Sequence, residues 1–88
     1  MSHAVTWTAT ATRALQRLPE KVATAAVEFI YGSLAENPQR VGKPLRFEFE
    51  GLHSARRGDY RVVYEIDPAA ELITIIAIQH RADVYRPR

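Results

Sequence analysis

Near its middle the hydrophobic pattern of this chain changes from helical to strand period, and that change restricts the folds open to it. Before Asn37–Pro38 the apolar residues recur at helical spacing, and beyond Pro44 they follow strand patterns. Ala11, Leu15 and Leu18 fall at i, i+4 and i+7, with Arg13, Gln16 and Arg17 on the other side. Pro19 interrupts this run. Inside a helix a proline costs about 3 kcal/mol, but the first position of a new helix accepts it. Two helices therefore meet near Leu18–Pro19. The second carries Val22, Ala26, Phe29, Ile30 and Leu34 on one stripe and ends before Asn37–Pro38, with Gly32 weakening its last turn. Ahead of both, Val5 and Trp7 alternate with Thr6 and Thr8 as a short first strand. The breaker-rich stretch 37–44 (NPQRVGKP) reads as a connector.

The second half reads as a meander. A strand from His53 to Arg57 leads through Gly58–Asp59 into Tyr60–Asp67, and after Asp67–Pro68 the run Leu72–His80 follows. Gly-Asp between two strand patterns predicts a two-residue II′ hairpin turn. The last strand is apolar on both faces, which places it inside the sheet with helices over one side. The expected fold is α+β: an antiparallel β-sheet, made of the N-terminal strand plus the three-stranded C-terminal meander, packed against two N-terminal helices. All 88 residues form one domain. A chain this short buries only about 60–65 per cent of its unfolded surface, so it is expected to lean on a partner. It has no cysteine, which excludes disulfides, thiolate metal sites and cysteine nucleophiles. It has no apolar run near the roughly 20 residues that span a bilayer and no signal-peptide pattern, so a cytoplasmic location is expected.

The hairpin fixes which charged side chains meet. Of 12 basic residues only Lys21 and Lys43 are lysines, although the net charge is just +2. Arginine is the residue suited to forked phosphate recognition, and a high-GC genome with arginine-rich codons is the plain alternative. With Gly58–Asp59 as the loop, Arg57 pairs with Tyr60 and Arg56 with Arg61, which puts Arg56 and Arg61 on one face about 5 Å apart at Cβ. The other face takes Tyr60, Val62, Tyr64 and Ile66 as core. Like charges directly opposite are destabilising. The pair is therefore either a surface network neutralised by Glu65, Asp59 or Glu48, or an anion site for a nucleic-acid phosphate.

The end of the last strand adds His80, Arg81 and Tyr85: a group that titrates near neutrality, a fixed cation and a stacking ring. His53 has no evident partner, His3 reads as solvated, and Trp7 and Phe29 read as core. No histidine pair has metal-ligand spacing, no glycine-rich phosphate loop is present, and Ser54 lacks the setting of a nucleophile elbow. No cofactor or metal is expected.

Four motifs in order carry a family resemblance: LQRLP at 15–19, GKPL at 42–45, LHSARRGDYRVVYEID at 52–67 and IIAIQHRADVY at 75–85. Together they resemble the small bacterial toxins of the RelE/ParE superfamily, partners in type II toxin–antitoxin pairs. The resemblance implies a sheet with two N-terminal helices and, for RelE-type members, ribosome-dependent cleavage of messenger RNA. It implies Arg61 at the scissile phosphate, Arg56 as a second basic position, Arg81 after the last strand, and Tyr85 stacking on RNA. Lys43, Arg46 and Arg57 complete the expected RNA-binding set, and His80 is the candidate for proton transfer. Some members carry lysines on the second strand, where this chain has Leu52 and Ser54. The implied partners are a RelB-like antitoxin, in a hetero-oligomeric complex, and the ribosome with its mRNA. The alternative within the superfamily is a ParE-type inhibitor of DNA gyrase with no ribonuclease activity.

Overall fold

The computed structural model describes residues 2–45 and 51–80. Its elements run β1 (Ala4–Trp7), α1 (Ala9–Arg17), α2 (Glu20–Phe29), a wide π turn over Ile30–Leu34, α3 (Pro38–Val41), β2 (Lys43–Pro44), β3 (Leu52–Arg57), β4 (Tyr60–Asp67) and β5 (Leu72–His80). The sheet order is β1-β5-β4-β3-β2. The expected α+β class and the meander are present, with two differences. The sheet is mixed rather than antiparallel, because β1 lies parallel to β5. A fifth strand, β2, extends the β3 edge inside the stretch read as a connector, after the helical turn α3. Alternation of side chains is the same in parallel and antiparallel strands, so the periodicity of Val5 and Trp7 carries no direction.

Local chemistry explains where the helices start and stop. Thr8 caps α1, its hydroxyl oxygen accepting from the Ala11 amide at 3.0 Å. The same hydroxyl lies 3.1 Å from the carbonyl oxygens of Ile75 and Ile76, to which its proton is donated, so the helix start is tied to β5. Leu18 leaves the helix in an extended conformation (ψ 149°), as a residue before proline is pushed to do. Pro19 then stands one position ahead of the first residue of α2. Gly32 sits within the π turn, where Ile30 and Leu34 are buried, as is Ala35 just after it.

The core lies between the helices and one face of the sheet. It comprises Ala11, Ala26, Phe29, Ile30 and Leu34 from the helical layer, and Ala55, Tyr60, Val62, Tyr64, Ile73, Ile75 and Ile78 from the strands. Val5, Trp7, Leu15 and Leu18 pack against its rim. Phe29 is a core residue as expected, whereas Trp7 is only partly buried at the rim, where its indole donates to the Tyr31 hydroxyl at 2.9 Å. His3 is not solvated. It is half-buried, and its backbone amide and Nδ1 approach the Ala35 carbonyl at 2.8 and 3.2 Å.

Two close fits shape the β3 edge. The Tyr64 hydroxyl, fully buried, donates to the Pro38 carbonyl and so anchors α3 to β4. Burial pushes this phenol up to about 12, with the Gly42 backbone partly offsetting the rise. A Cβ on Gly42 would overlap the Tyr64 hydroxyl and lie 2.7 Å from the Ser54 carbonyl, so the glycine of GKPL is required by close approach. His53 stacks on the Tyr64 ring, centroids 5.7 Å apart.

Candidate nucleic-acid interface

The β3–β4 hairpin has the predicted register: Arg57 pairs with Tyr60 and Arg56 with Arg61. Gly58 takes a left-handed φ of +59° at the first loop position while Asp59 does not, which fits the II′ turn. Alternation then divides the hairpin. Tyr60, Val62 and Tyr64 point into the helical layer and are buried, whereas Arg56 is exposed and Arg61 half-buried on the opposite, open face.

On the β5 side the register holds a surprise. Val63 pairs with Ala77 and Tyr64 with Ile75, so Ile76 is an extra residue, a β-bulge. Up to Ile75 the odd-numbered residues of β5 face the core, and beyond the bulge the even-numbered ones do. Gln79, not His80, therefore lies beside Arg61, and Arg56, Arg61 and Gln79 form one row across the open face. Gln79 Oε1 accepts from Arg61 Nε at 3.0 Å and from Arg61 Nη2. Sequence reasoning missed Gln79, because only the bulge brings it to that face.

Lys43 joins this surface. It pairs with Ser54, two residues along β3 from Arg56, and is exposed. That diagonal is about 7–8 Å, within reach of long side chains. No acidic group on β4 neutralises the row. Glu65 is four residues from Arg61, about 13 Å along the strand at ~3.3 Å per residue, and Arg61 is held instead by a neutral amide. Of the other carboxylates considered, Asp59 is in the hairpin loop, and Glu48 lies outside the described residues.

Two expected site residues fall elsewhere. Arg57 is on the helix-covered face, its guanidinium carbon 5.2 Å from the Phe29 ring centroid. His80 pairs with Tyr60 and is half-buried on that same face. Strand alternation separates Arg57 from Arg56, and the Ile76 bulge separates His80 from Arg61. The Tyr60 hydroxyl is buried, and burial pushes its pKa above the ordinary tyrosine value, with the charge of Arg57 partly offsetting the rise. Arg46, Arg81 and Tyr85 lie outside the described residues.

Residues 5–85 match the family described as the ParE toxin of type II toxin–antitoxin systems, parDE. The chain belongs to this toxin family. The four motifs that resemble the RelE/ParE superfamily thus sit in a true member, and its relatives point to the RelE side. Toxin RelE of Mycobacterium tuberculosis is 63% identical over 79 residues, covering 90% of this chain and 81% of that protein. Toxin RelG of the same organism is 49% identical over 86 residues, covering 98% and 99%. The toxin also superposes on the M. tuberculosis RelBE2 toxin–antitoxin complex with a TM-score of 0.90 at 46% identity, covering 92% of this chain and all of that one. The isolated Escherichia coli RelE toxin shares the fold alone, with a TM-score of 0.74 at 16% identity over 96% of this toxin and 92% of that chain.

Proposed function

We propose that this type II toxin is a ribosome-dependent messenger-RNA endoribonuclease. The observation that carries the reading is the open-face row, in which Arg61 is oriented by a neutral amide and flanked by Arg56 and Lys43, with no carboxylate on the described part of β2, β3 or β4 paired with it in that row. Metal-free RNA cleavage has the 2′-hydroxyl attack the adjacent phosphate in line, expelling the 5′-oxygen and leaving a 2′,3′-cyclic phosphate. Charge builds on the phosphate oxygens in the transition state, and preorganised donors aimed there supply a large part of the rate. In this reading Arg61 binds that phosphate, Arg56 and Lys43 hold the flanking strand electrostatically, and the ribosome positions the substrate. Arg81 and Tyr85 take the phosphate and base-stacking roles that the family resemblance implies. Proton transfer is not assigned to His80, which is on the other face, nor to Leu52 or Ser54.

A RelB-like antitoxin is the proposed partner. The M. tuberculosis RelBE2 structure and the RelE–RelB complex of Pyrococcus horikoshii, the latter 26% identical with a TM-score of 0.71 over 92% of this chain and 97% of that one, are toxin–antitoxin complexes. The small core supports the same reading, because a segment binding only the folded toxin stabilises it by mass action.

The ParE description of the matched family favours a second reading, inhibition of DNA gyrase without RNA cleavage. Mapping transcript 5′ ends after induction separates the two. Translation-dependent cuts inside coding regions support the ribonuclease. Intact transcripts with an induced DNA-damage response overturn it in favour of gyrase.

A further inference from the structure

The hydrogen bonds on Arg61 give Gln79 a role. A guanidinium offers five N–H donors and no acceptor, so the amide must turn its carbonyl oxygen toward Arg61 and its NH2 group away. That oxygen engages the edge formed by Nε and Nη2. Three donors remain, two on Nη1 and one on Nη2. One from each nitrogen lines the end of the fork, the edge that matches two oxygens of a phosphate.

The register adds a second argument. Arg61 stands between Arg56 on β3 and Gln79 on β5. Side chains directly opposite are about 5 Å apart at Cβ, so an untethered Arg61 would meet the like charge of Arg56. The bonds to Gln79 draw its head group toward β5 instead. The partner is also neutral. A carboxylate there would make the same two hydrogen bonds but would cancel the charge that an RNA phosphate is meant to meet.

We infer that Gln79 is a positioning residue, holding the Arg61 guanidinium with its end-on edge toward an RNA phosphate at undiminished positive charge. The inference rests on the ribonuclease reading for its substrate, but not for its test. Two variants of the full chain separate orientation from charge. Gln79→Met keeps the length and removes the acceptor; Gln79→Glu keeps the acceptor and adds a negative charge. The Arg61 Nε–H resonance in 15N spectra, titrated with inorganic phosphate, reads the tether directly. The rate of mRNA cleavage on programmed ribosomes in excess over toxin, measured across ribosome concentrations, reads its consequence.

The wild type is expected to show a slowly exchanging Nε–H that shifts with phosphate. Gln79→Met should lose that protection, and its maximal cleavage rate should fall about tenfold at a nearly unchanged half-saturating ribosome concentration. Gln79→Glu should keep the protection, lose the phosphate shift, and need about tenfold more ribosomes for half-saturation. A purely structural role would lower the melting temperature and leave these two signatures alike in both variants. Wild-type exchange and cleavage in Gln79→Met would overturn the inference. A wild type that does not cleave at all overturns the ribonuclease reading alone, since the Nε–H arm still decides what Gln79 does.

Discussion

The two faces of the sheet are made from the same strands, and neighbouring residues on those strands have opposite fates. On the helix-covered face Tyr60, Val62, Tyr64, Ile73, Ile75 and Ile78 are buried and carry the stability of the molecule. On the other face Lys43, Arg56, Arg61 and Gln79 form a polar, basic surface. The difference shows how a domain this small keeps a functional surface without spending its core on it: burial on one face fixes the backbone, and the backbone holds like charges together on the other.

Substitutions on each face should therefore separate activity from stability. The largest effect is expected for Arg61→Ala. Losing one preorganised donor to a charged transition state typically costs about 10²–10³-fold, so cleavage and toxicity should collapse. The melting temperature should hold, because the side chain lies outside the core; a folded Arg61→Ala protein with full toxicity would sink the assignment. Gly42→Ala reverses the pattern, because its methyl would overlap the Tyr64 hydroxyl and crowd the Ser54 carbonyl. Overpacking of this kind costs about 1–3 kcal/mol, which denaturant unfolding would register as a lower midpoint.

Thr8→Val removes both the α1 cap and the hydroxyl that reaches the Ile75 and Ile76 carbonyls. The cap alone is worth about 0.5–2 kcal/mol, again visible in denaturant unfolding. If this anchor also holds the bulge, the Arg61 Nε–H signal should weaken in the same variant.

Tyr64 gives the helix-covered face a pH signature. Burial pushes its phenol up to about 12 in the folded chain, against the ordinary tyrosine value of 10.0. The raised value means that the unfolded chain loses this proton first. The stability contributed by the neutral phenol is full below pH 10 and is lost as pH rises from 10 toward 12. Tyr64→Phe, less stable at neutral pH for want of the bond to Pro38, should therefore decline less steeply over that window in alkaline unfolding measurements.

The smallest and sharpest comparison is between adjacent arginines. Arg56→Ala should weaken binding to single-stranded RNA and lower the salt slope by about 0.7 for one phosphate contact, measured by fluorescence anisotropy. Arg57→Ala should leave that slope unchanged and cost only about 0.5–1 kcal/mol of stability, from its contact with Phe29.

The order of helices and strands was legible in the residue pattern, because the switch from helical to strand spacing at 37–44 follows from which residues must be buried in each. The β3–β4 register was legible as well: Gly58–Asp59 is a turn with one geometry, and that turn pairs Arg56 with Arg61. Other features depend on how the strands pair once folded. Val5 and Trp7 alternate identically in either strand direction, so the parallel pairing of β1 with β5 was not legible. Two residues of β2 are too few to carry a period. Most consequential is Ile76. In a run where Leu72, Ile73, Ile75, Ile76 and Ile78 are all apolar, no pattern marks an extra residue. Yet the bulge there changes which alternate residues face the core, turning His80 toward the helices and Gln79 toward Arg61. A bulge is a property of two strands paired and of the Thr8 hydroxyl that meets its carbonyls, and neither exists until the chain has folded.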